Sequence, residues 1–306
     1  MSHPNYRDTA ILCAFLVASS LACSAQAEPC HDNGGVRLEA HEPNRMGITV
    51  DNDDDDWFVD FKLSVHHPIL YETLTEGSPS RWLPYFAFTG RFGYYIPRPS
   101  TPVVSKSFNP KLFIRYFWNT DACNRYDPKT EYIDFELGHL SNGQSIETLQ
   151  SYNAHAAALG NSEYADDYIS RGWDYWGISG KNLIEQIELR YSLKSYVNGY
   201  IQSTIEENFS WEPAREISKF NQVSGVHLAA KYRYYDSYYV GVNLDTGSNH
   251  PFRNNTWEAN WGAAKLFGIP FVAYYRTGYN SDLARYYNKV TSYGFALEFD
   301  TFKQTR

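Results

Sequence analysis

Apolar and polar side chains alternate along most of the chain. The segment WFVDFKLSV at 57–65 places aromatic and aliphatic residues at its odd-numbered positions, with Asp60, Lys62 and Ser64 between them. IELRYSL at 187–193 and VHLAAKYRY at 226–234 show a similar arrangement. Because successive side chains of a β-strand point to opposite faces, each segment predicts a strand with one apolar and one polar face.

About twelve such strands are predicted, and the connections between them also follow a pattern. The predicted strands are 45–50, 57–66, 82–94, 107–118, 131–141, 169–178, 184–197, 222–235, 237–246, 255–266, 269–278 and 288–299. From the third strand onward, long connections alternate with short ones such as Asp236 and residues 267–268. Bacterial barrels place long loops outside the cell and short turns in the periplasm. The spacing therefore predicts an all-β fold, an antiparallel transmembrane β-barrel of about 12 strands.

Alternation alone also fits a second architecture, since the apolar face of each strand could equally be the core of a water-soluble sandwich. Composition favours the membrane. Of 306 residues 26 are Tyr, and 17% are aromatic, yet mean hydropathy is −0.51. Transmembrane barrels concentrate aromatic residues at both membrane interfaces and keep their lumen polar. The formal net charge of −8 argues against nucleic acid as a partner.

The first 27 residues have the organisation of a secretory leader. Arg7 precedes the apolar run AILCAFLVASSLA, and AQA at 25–27 supplies the small residues that a signal peptidase needs. We therefore expect a signal peptide at 1–27 and the barrel domain at 28–306. SLAC at 20–23 is a competing lipoprotein site, although Ser20 stands where such sites prefer Leu.

Two cysteines, Cys30 and Cys123, remain once the leader is removed. In an oxidising periplasm they could form a disulfide, whereas free thiols need no approach of the two residues. The sequence leaves both alternatives open.

The segment IDFELGHLSNGQS at 133–145 puts polar residues on an apolar face. Continuing its period of two places His139 and Ser141 on the side of Phe135 and Leu137. On a barrel this side faces lipid, where an ionisable residue is a functional hypothesis by default. Residues two apart on a strand bring their side chains close, so the imidazole could accept the serine proton. The alternative is that both residues belong to a polar belt at the membrane interface.

Two motifs in succession resemble a known enzyme family. ELGHLSNGQS at 136–145 and ISRGWDYW at 169–176 together are similar to outer-membrane phospholipase A, whose motif joins a His-x-Ser-Asn-Gly run to a Ser-Arg-x-Trp-Asn run. FNPKLFIRY at 108–116 and YRTGYNSDLARYYN at 275–288 look like further family segments. The resemblance implies a twelve-stranded barrel in the bacterial outer membrane that hydrolyses the acyl esters of glycerophospholipids.

The resemblance also implies roles for individual residues. Ser141 would be the nucleophile, His139 the general base, and the backbone N–H of Gly143 the oxyanion donor. The family's third triad residue is Asn, but Asp174 stands at the matching position. On a neighbouring antiparallel strand Asp174 could lie beside His139, which would make a Ser-His-Asp triad.

Calcium and a homodimer follow from the same resemblance. Family members bind calcium between two subunits through loop serines and an Arg. Ser170 matches one ligand, Ser100 resembles the serine from the partner, and Gln144 replaces the Arg. A neutral amide removes one positive charge beside the metal, so the calcium affinity of this chain need not follow the family.

The motifs therefore predict a calcium-dependent, homodimeric phospholipase of the bacterial outer membrane. A non-catalytic barrel, either a porin or a structural protein, is the alternative function, and a soluble β-sandwich hydrolase is a third. Acyl-position preference, headgroup preference and the trigger of activity are not encoded in these motifs.

Overall fold

A computed structural model of the chain describes residues 38–52, 56–69, 80–96, 104–120, 129–197, 209–234, 237–266 and 269–299. The leader, Cys30, Cys123 and Ser100 lie outside these residues. The strands are β1 (Glu39–Ala40), β2 (Asn44–Asp51), β3 (Asp56–Pro68), β4 (Trp82–Tyr95), β5 (Val104–Phe117), β6 (Tyr132–Ser141), β7 (Gly172–Ile184), β8 (Ile187–Val197), β9 (Gly225–Tyr234), β10 (Tyr238–Gly247), β11 (Thr256–Leu266), β12 (Ile269–Gly278) and β13 (Val290–Phe299). The helices are α1 (Leu149–Leu159), α2 (Ser162–Asp166) and a 3₁₀ turn at Phe220–Gln222. Among the described residues, no helix is long and apolar enough to cross a membrane.

The strands form a closed antiparallel barrel. From β2 to β13 each strand pairs with its neighbour in chain order, and β13 pairs back with β2, with Ser292 opposite Asp51. Because β13 closes on β2, the backbone groups at the edges of the described sheet are paired. Strands in hydrocarbon need this pairing, since no water is available to bond free N–H and C=O groups. The predicted fold class, a twelve-stranded antiparallel barrel, is confirmed.

The first strand of the barrel is interrupted. Both β1 and β2 pair with the same edge of β3, so together they occupy one of the twelve positions. At the break, Ser64 N donates to Asn44 Oδ1 at 2.6 Å and Glu42 N donates to Ser64 Oγ at 3.1 Å. These side-chain bonds replace ladder bonds that the break removes, so the backbone groups stay satisfied.

The two faces of the sheet have opposite polarity. On β6 the outward side chains of Phe135 and Leu137 are 44% and 60% exposed, while the inward Asp134 and Glu136 are buried. Large exposed apolar residues recur on the outward side of the other strands, whereas buried charged residues line the lumen. An apolar exterior and a polar interior are typical of a transmembrane barrel.

Most predicted strands lie within three residues of the observed ones, and β7 is the exception. The predicted strand at 169–178 begins at Gly172 and continues to Ile184, so the turn to the next strand lies at Glu185 and Gln186 rather than before 184. Glu185 has φ of 53°, a left-handed conformation that fits a tight hairpin turn. Ser170 therefore precedes the strand instead of sharing its outward face.

Loops at the outer end of the barrel fold into its mouth. A cluster of buried side chains, here called the outer plug, comprises Trp173, Ile217, Phe220, Val223, Leu283 and Tyr286. Trp173 is on the inward face of β7, and its ring stacks on that of Phe220 with centroids 4.1 Å apart and planes 10° apart. The plug packs two outer loops against the outer end of β7.

Candidate active site

The candidate catalytic residues lie on two paired strands near the outer end of the barrel. In the antiparallel register of β6 and β7, His139 is directly opposite Asp174 and Ser141 is directly opposite Gly172. The period of two along each strand puts His139, Ser141 and Asp174 on the outward face. Gly138, just before His139, leaves room for the ring of Tyr175 on the inward face, since an added Cβ would lie 2.5 Å from Cζ of that side chain.

A short hydrogen bond joins the histidine to the carboxylate. His139 Nδ1 donates to Asp174 Oδ1 at 2.7 Å. Both side chains are largely shielded from solvent, with exposures of 15% and 6%. An ionised carboxylate only accepts hydrogen bonds, so the bond fixes the tautomer with the proton on Nδ1. In this neutral tautomer the other ring nitrogen, Nε2, carries no proton and can act as a base.

Ser141 ends β6 and is half-buried. Within the described residues, no hydrogen bond joins its Oγ to His139. Catalytic hydrogen bonds of unliganded enzymes are frequently long and tighten only with substrate bound. The structure therefore brings the histidine and the aspartate into contact and leaves the serine two residues along the same face.

Asn142 holds the turn that follows Ser141. Its side chain is fully buried; Nδ2 donates to Ile169 O at 2.7 Å, and Oδ1 accepts from Arg171 N at 2.9 Å and Gln144 N at 3.3 Å. Asn142 N also donates to Arg171 O at 3.0 Å. The next residue, Gly143, has φ of 63°, a conformation that glycine adopts without cost. These bonds set the direction of the Gly143 N–H.

A buried ion pair lies behind the same turn. Arg171 donates to Glu212 at 2.6 Å, and the side chains are 0% and 1% exposed. Glu212 also accepts from Arg215 at 3.0 Å and from Phe209 N at 2.9 Å. Burial raises the pKa of the Glu212 carboxyl, but Arg171 and the other donors lower it more, so its pKa lies below the usual range. The pair fixes an outer loop against the start of β7.

Asn142, Arg171 and Glu212 were not among the residues predicted from the sequence. Asn142-Gly143 is a turn dipeptide, which is a usable signal for the bend. Arg171 and Glu212 are 41 residues apart, and no local pattern connects them. Their pairing depends on how the long loop folds.

The residues predicted to bind calcium are placed in part. Ser170 N donates to Ile146 O at 2.9 Å, and Gln144 lies on the other side of the same junction between the ends of β6 and β7. Ser100 lies outside the described residues. Serine and amide oxygens are hard ligands of the kind that calcium takes. In the described part of the chain no cluster of three or more His, Cys, Asp or Glu could hold a metal, so a site here would be built from neutral oxygens.

Solved structures resemble the barrel, while comparisons of sequence find nothing. The chain matches no protein-family model and no curated protein. In fold it is similar to outer membrane phospholipase A from Escherichia coli, with a TM-score of 0.60 and 13% identity over 87% of this chain and 99% of that one. An active-site asparagine-to-alanine mutant of that protein matches with a TM-score of 0.61 and 14% identity over 88% of this chain and 93% of that one.

The outer membrane phospholipase of Salmonella typhi, a dimer with bound calcium, also matches, with a TM-score of 0.61 and 12% identity over 88% of this chain and 94% of that one. Identities this low show a shared fold alone. The closed topology and the apolar exterior are those of a transmembrane barrel, and the chain is a β-barrel of the bacterial outer membrane.

Proposed function

We propose that this chain is a phospholipase that hydrolyses acyl esters of membrane glycerophospholipids. The observation that carries the proposal is the 2.7 Å bond between His139 and Asp174 on the lipid side of the barrel, with Ser141 on the same face. Polar residues on a lipid-facing surface cost free energy, and such residues commonly have a function. A membrane lipid as substrate explains why these three side chains lie on the outward face, where the lipid can reach them.

The chemistry would proceed through an acyl-enzyme. Ser141 Oγ attacks the acyl carbonyl and gives its proton to His139 Nε2, while the Asp174 carboxylate stabilises the imidazolium that forms. The imidazolium then protonates the leaving alcohol, and the lysophospholipid departs. Water, activated by the same imidazole, hydrolyses the acyl ester and restores Ser141.

Gly143 would stabilise the negative charge on the carbonyl oxygen through its backbone N–H. Asn142 and the positive φ of Gly143 hold this donor next to Ser141 without help from the substrate. Donors fixed in advance in this way are among the largest contributions to acyl transfer.

Calcium would bind beside this donor and add positive charge near the developing oxyanion. Ser170 and Gln144 of one subunit and Ser100 of the partner subunit would hold it, which couples the metal to a homodimer. Without a carboxylate such a site binds weakly, so we expect a requirement for roughly millimolar calcium.

The alternative of an open porin has less support. The outer plug places buried aromatic and aliphatic side chains at the outer end of the lumen. A diffusion pore needs a water-filled channel along its axis. The plug therefore argues against an open diffusion pore, and the activity test below separates an enzyme from a structural barrel.

The test is hydrolysis of a fluorescent glycerophospholipid by the purified, folded barrel in detergent micelles. Folding is verified by heat-modifiable migration on a gel. We expect release of fatty acid that needs calcium and stops in excess chelator. A folded barrel that releases no fatty acid at any calcium concentration contradicts the proposed function, whereas full activity in chelator contradicts only the metal.

A further inference from the structure

A polar cavity of about 420 Å³ lies inside the barrel, behind the candidate active site. Leu283 of the outer plug lines it, and so does Leu140, the residue between His139 and Ser141 whose side chain points inward. Small-molecule sites in proteins commonly have volumes of about 300–1,000 Å³. The cavity is thus large enough for a small ligand. One layer of β-sheet, the barrel wall, separates it from the lipid.

The cavity wall is rich in positive charge. Nine Lys and Arg residues line it against five Asp and Glu residues. The whole chain has the opposite balance, with a formal net charge of −8. Asp60 and Glu298 also form salt bridges with these cations from just outside the lining. With them, nine cations stand against seven carboxylates, so the wall keeps a positive balance although the chain as a whole is acidic.

Six of the nine cations have a carboxylate partner. Examples are Lys111 with Glu136 at 3.2 Å and Arg91 with Asp60 at 2.7 Å. Charges inside a barrel are normally paired in this way because an unpaired buried charge is costly. These pairs neutralise one another and leave no charge for a ligand.

Three cations, Lys106, Lys194 and Arg276, form no salt bridge with any carboxylate of the described residues. Lys106 is buried; its Nζ donates to the hydroxyl of Tyr95 at 2.9 Å and lies 4.2 Å from the ring centroid of Phe58. Lys194 Nζ lies 4.6 Å from the ring centroid of Tyr175.

Arg276 donates to two backbone carbonyls, Tyr279 O at 3.1 Å and Asn280 O at 3.0 Å. Carbonyls and rings orient these three cations. Carboxylates such as Asp245 and Glu258 act on the charge of Arg276 from beyond salt-bridge distance, so the three charges are offset only in part. An ammonium has three donors and a guanidinium five, so donors remain for a further partner.

The three cations approach the cavity from three sides. Lys106 is on β5, Lys194 on β8 and Arg276 on β12, which are separated by at least two other strands around the barrel. Each stands within a few residues of the outer end of its strand. Their charges therefore converge on the outer half of the lumen, beneath the outer plug.

We propose that this cavity binds a phosphate group, either as inorganic phosphate or as a small phosphate monoester. A doubly charged tetrahedral anion presents several acceptor oxygens, which donors from three directions can share. Chloride offers one charge and no directional acceptors. The site is distinct from the lipid-facing residues and does not depend on hydrolysis at Ser141.

The experiment measures binding to the full-length folded barrel in detergent at low salt. Inorganic phosphate and glycerol 3-phosphate are titrated separately by calorimetry, with sodium chloride at equal ionic strength as the comparison. We expect saturable binding of the phosphate compounds and none of chloride. Tighter binding of glycerol 3-phosphate assigns the site to a monoester, and equal or weaker binding assigns it to inorganic phosphate.

Lys194→Met should weaken phosphate binding at least about tenfold, because a charge-assisted hydrogen bond is lost. Lys194→Arg should retain most of it. The matched control is Lys289→Met, which removes the same charge from an exposed position outside the strands and should leave the affinity unchanged. No saturable binding to the wild-type barrel, equal binding of chloride, or an unchanged affinity in folded Lys194→Met would each overturn the proposal. If Lys194→Met does not fold, the chloride comparison on the wild type still decides.

Discussion

Removing the carboxylate of Asp174 isolates the part of the site that the geometry defines best. Asp174→Ala deletes the acceptor that holds His139 Nδ1 at 2.7 Å. Asp174→Asn keeps an oxygen at a similar position but loses the charge. We expect both variants to fold, since the bond is one side-chain contact on a barrel held by a closed ladder of backbone bonds.

The size of the effect follows from two contributions. A hydrogen bond to a charged group contributes about 1.5–3 kcal/mol, and about 1.4 kcal/mol is a factor of ten in rate. Loss of the bond alone thus predicts roughly a tenfold to hundredfold decrease. Without its acceptor the imidazole also loses its tautomer and orientation, which in other triads brings the total to about 10⁴-fold. We expect Asp174→Ala to lose roughly 10²–10⁴-fold in kcat. Asp174→Asn should lose less than Asp174→Ala, because its amide oxygen can still accept the hydrogen bond from His139 Nδ1.

The assay is turnover of a fluorescent phospholipid at saturating calcium, with folding verified by heat-modifiable migration. The chain contains its own matched control. His227 Nδ1 and Asp245 Oδ1 are also 2.7 Å apart on directly opposed strand residues, but they line the lumen. Asp245→Ala removes the same chemical contact and should leave hydrolysis within about threefold of wild type, far less than the loss expected at Asp174.

Equal activity of wild type and folded Asp174→Ala would refute the role of Asp174. An equal loss of turnover in Asp245→Ala would show that breaking either His–Asp contact of the barrel lowers activity, so that the loss at Asp174 is not specific to the candidate site. Either result would leave the fold unaffected and would remove the orienting carboxylate from the mechanism.

Three further changes test the surroundings of the site. Gly143→Ala puts a methyl group 2.9 Å from Cε2 of Phe108 at a positive φ, so kcat should fall severalfold while heat-modifiable migration is retained. Glu212→Gln leaves the charge of Arg171 buried and unpaired, and the 209–224 loop should lose roughly 3 kcal/mol of local stability, measured by hydrogen exchange. Folding lowers the pKa of Glu212, so this carboxylate stabilises the loop above the usual glutamate pKa of about 4.3 and stops doing so as the pH falls through its folded pKa. The hydrogen-exchange protection of the wild-type loop should therefore decrease in acid, and that of Glu212→Gln should not. Ser170→Ala should raise the calcium requirement and weaken crosslinking of the dimer by the same factor, since metal and dimer are linked; an unchanged requirement would exclude this ligand.

Most of the fold could be predicted from the sequence because each strand is half lipid-facing and half lumen-facing. The period of two in IDFELGHLS predicts which residues of β6 face outward, and the exposures of Phe135 and Leu137 agree. The error at β7 has a local cause. Gly177 and Gly180 interrupt the alternation where side chains of the neighbouring strand lie close, so the pattern stops before the strand does.

The candidate site was predictable only along the strands. His139 and Ser141 share a face by simple periodicity, and the antiparallel register puts Asp174 beside His139. The supporting contacts of Asn142, Arg171 and Glu212 come from loops without a period, and so does the outer plug. Their positions depend on tertiary contacts between distant segments, which a single sequence does not reveal. The catalytic and metal-binding roles themselves stay predictions.

The most direct test of the account is the turnover of Ser141→Ala on a phospholipid substrate. The serine is half-buried on the outer rim and its hydroxyl contributes little packing, so the variant should fold, bind lipid and lose at least roughly a thousandfold in kcat. The double variant with His139→Ala should be no worse than either single variant, because both residues act in one step. Turnover of folded Ser141→Ala within about tenfold of wild type would contradict the central claim that this lipid-facing serine is the nucleophile.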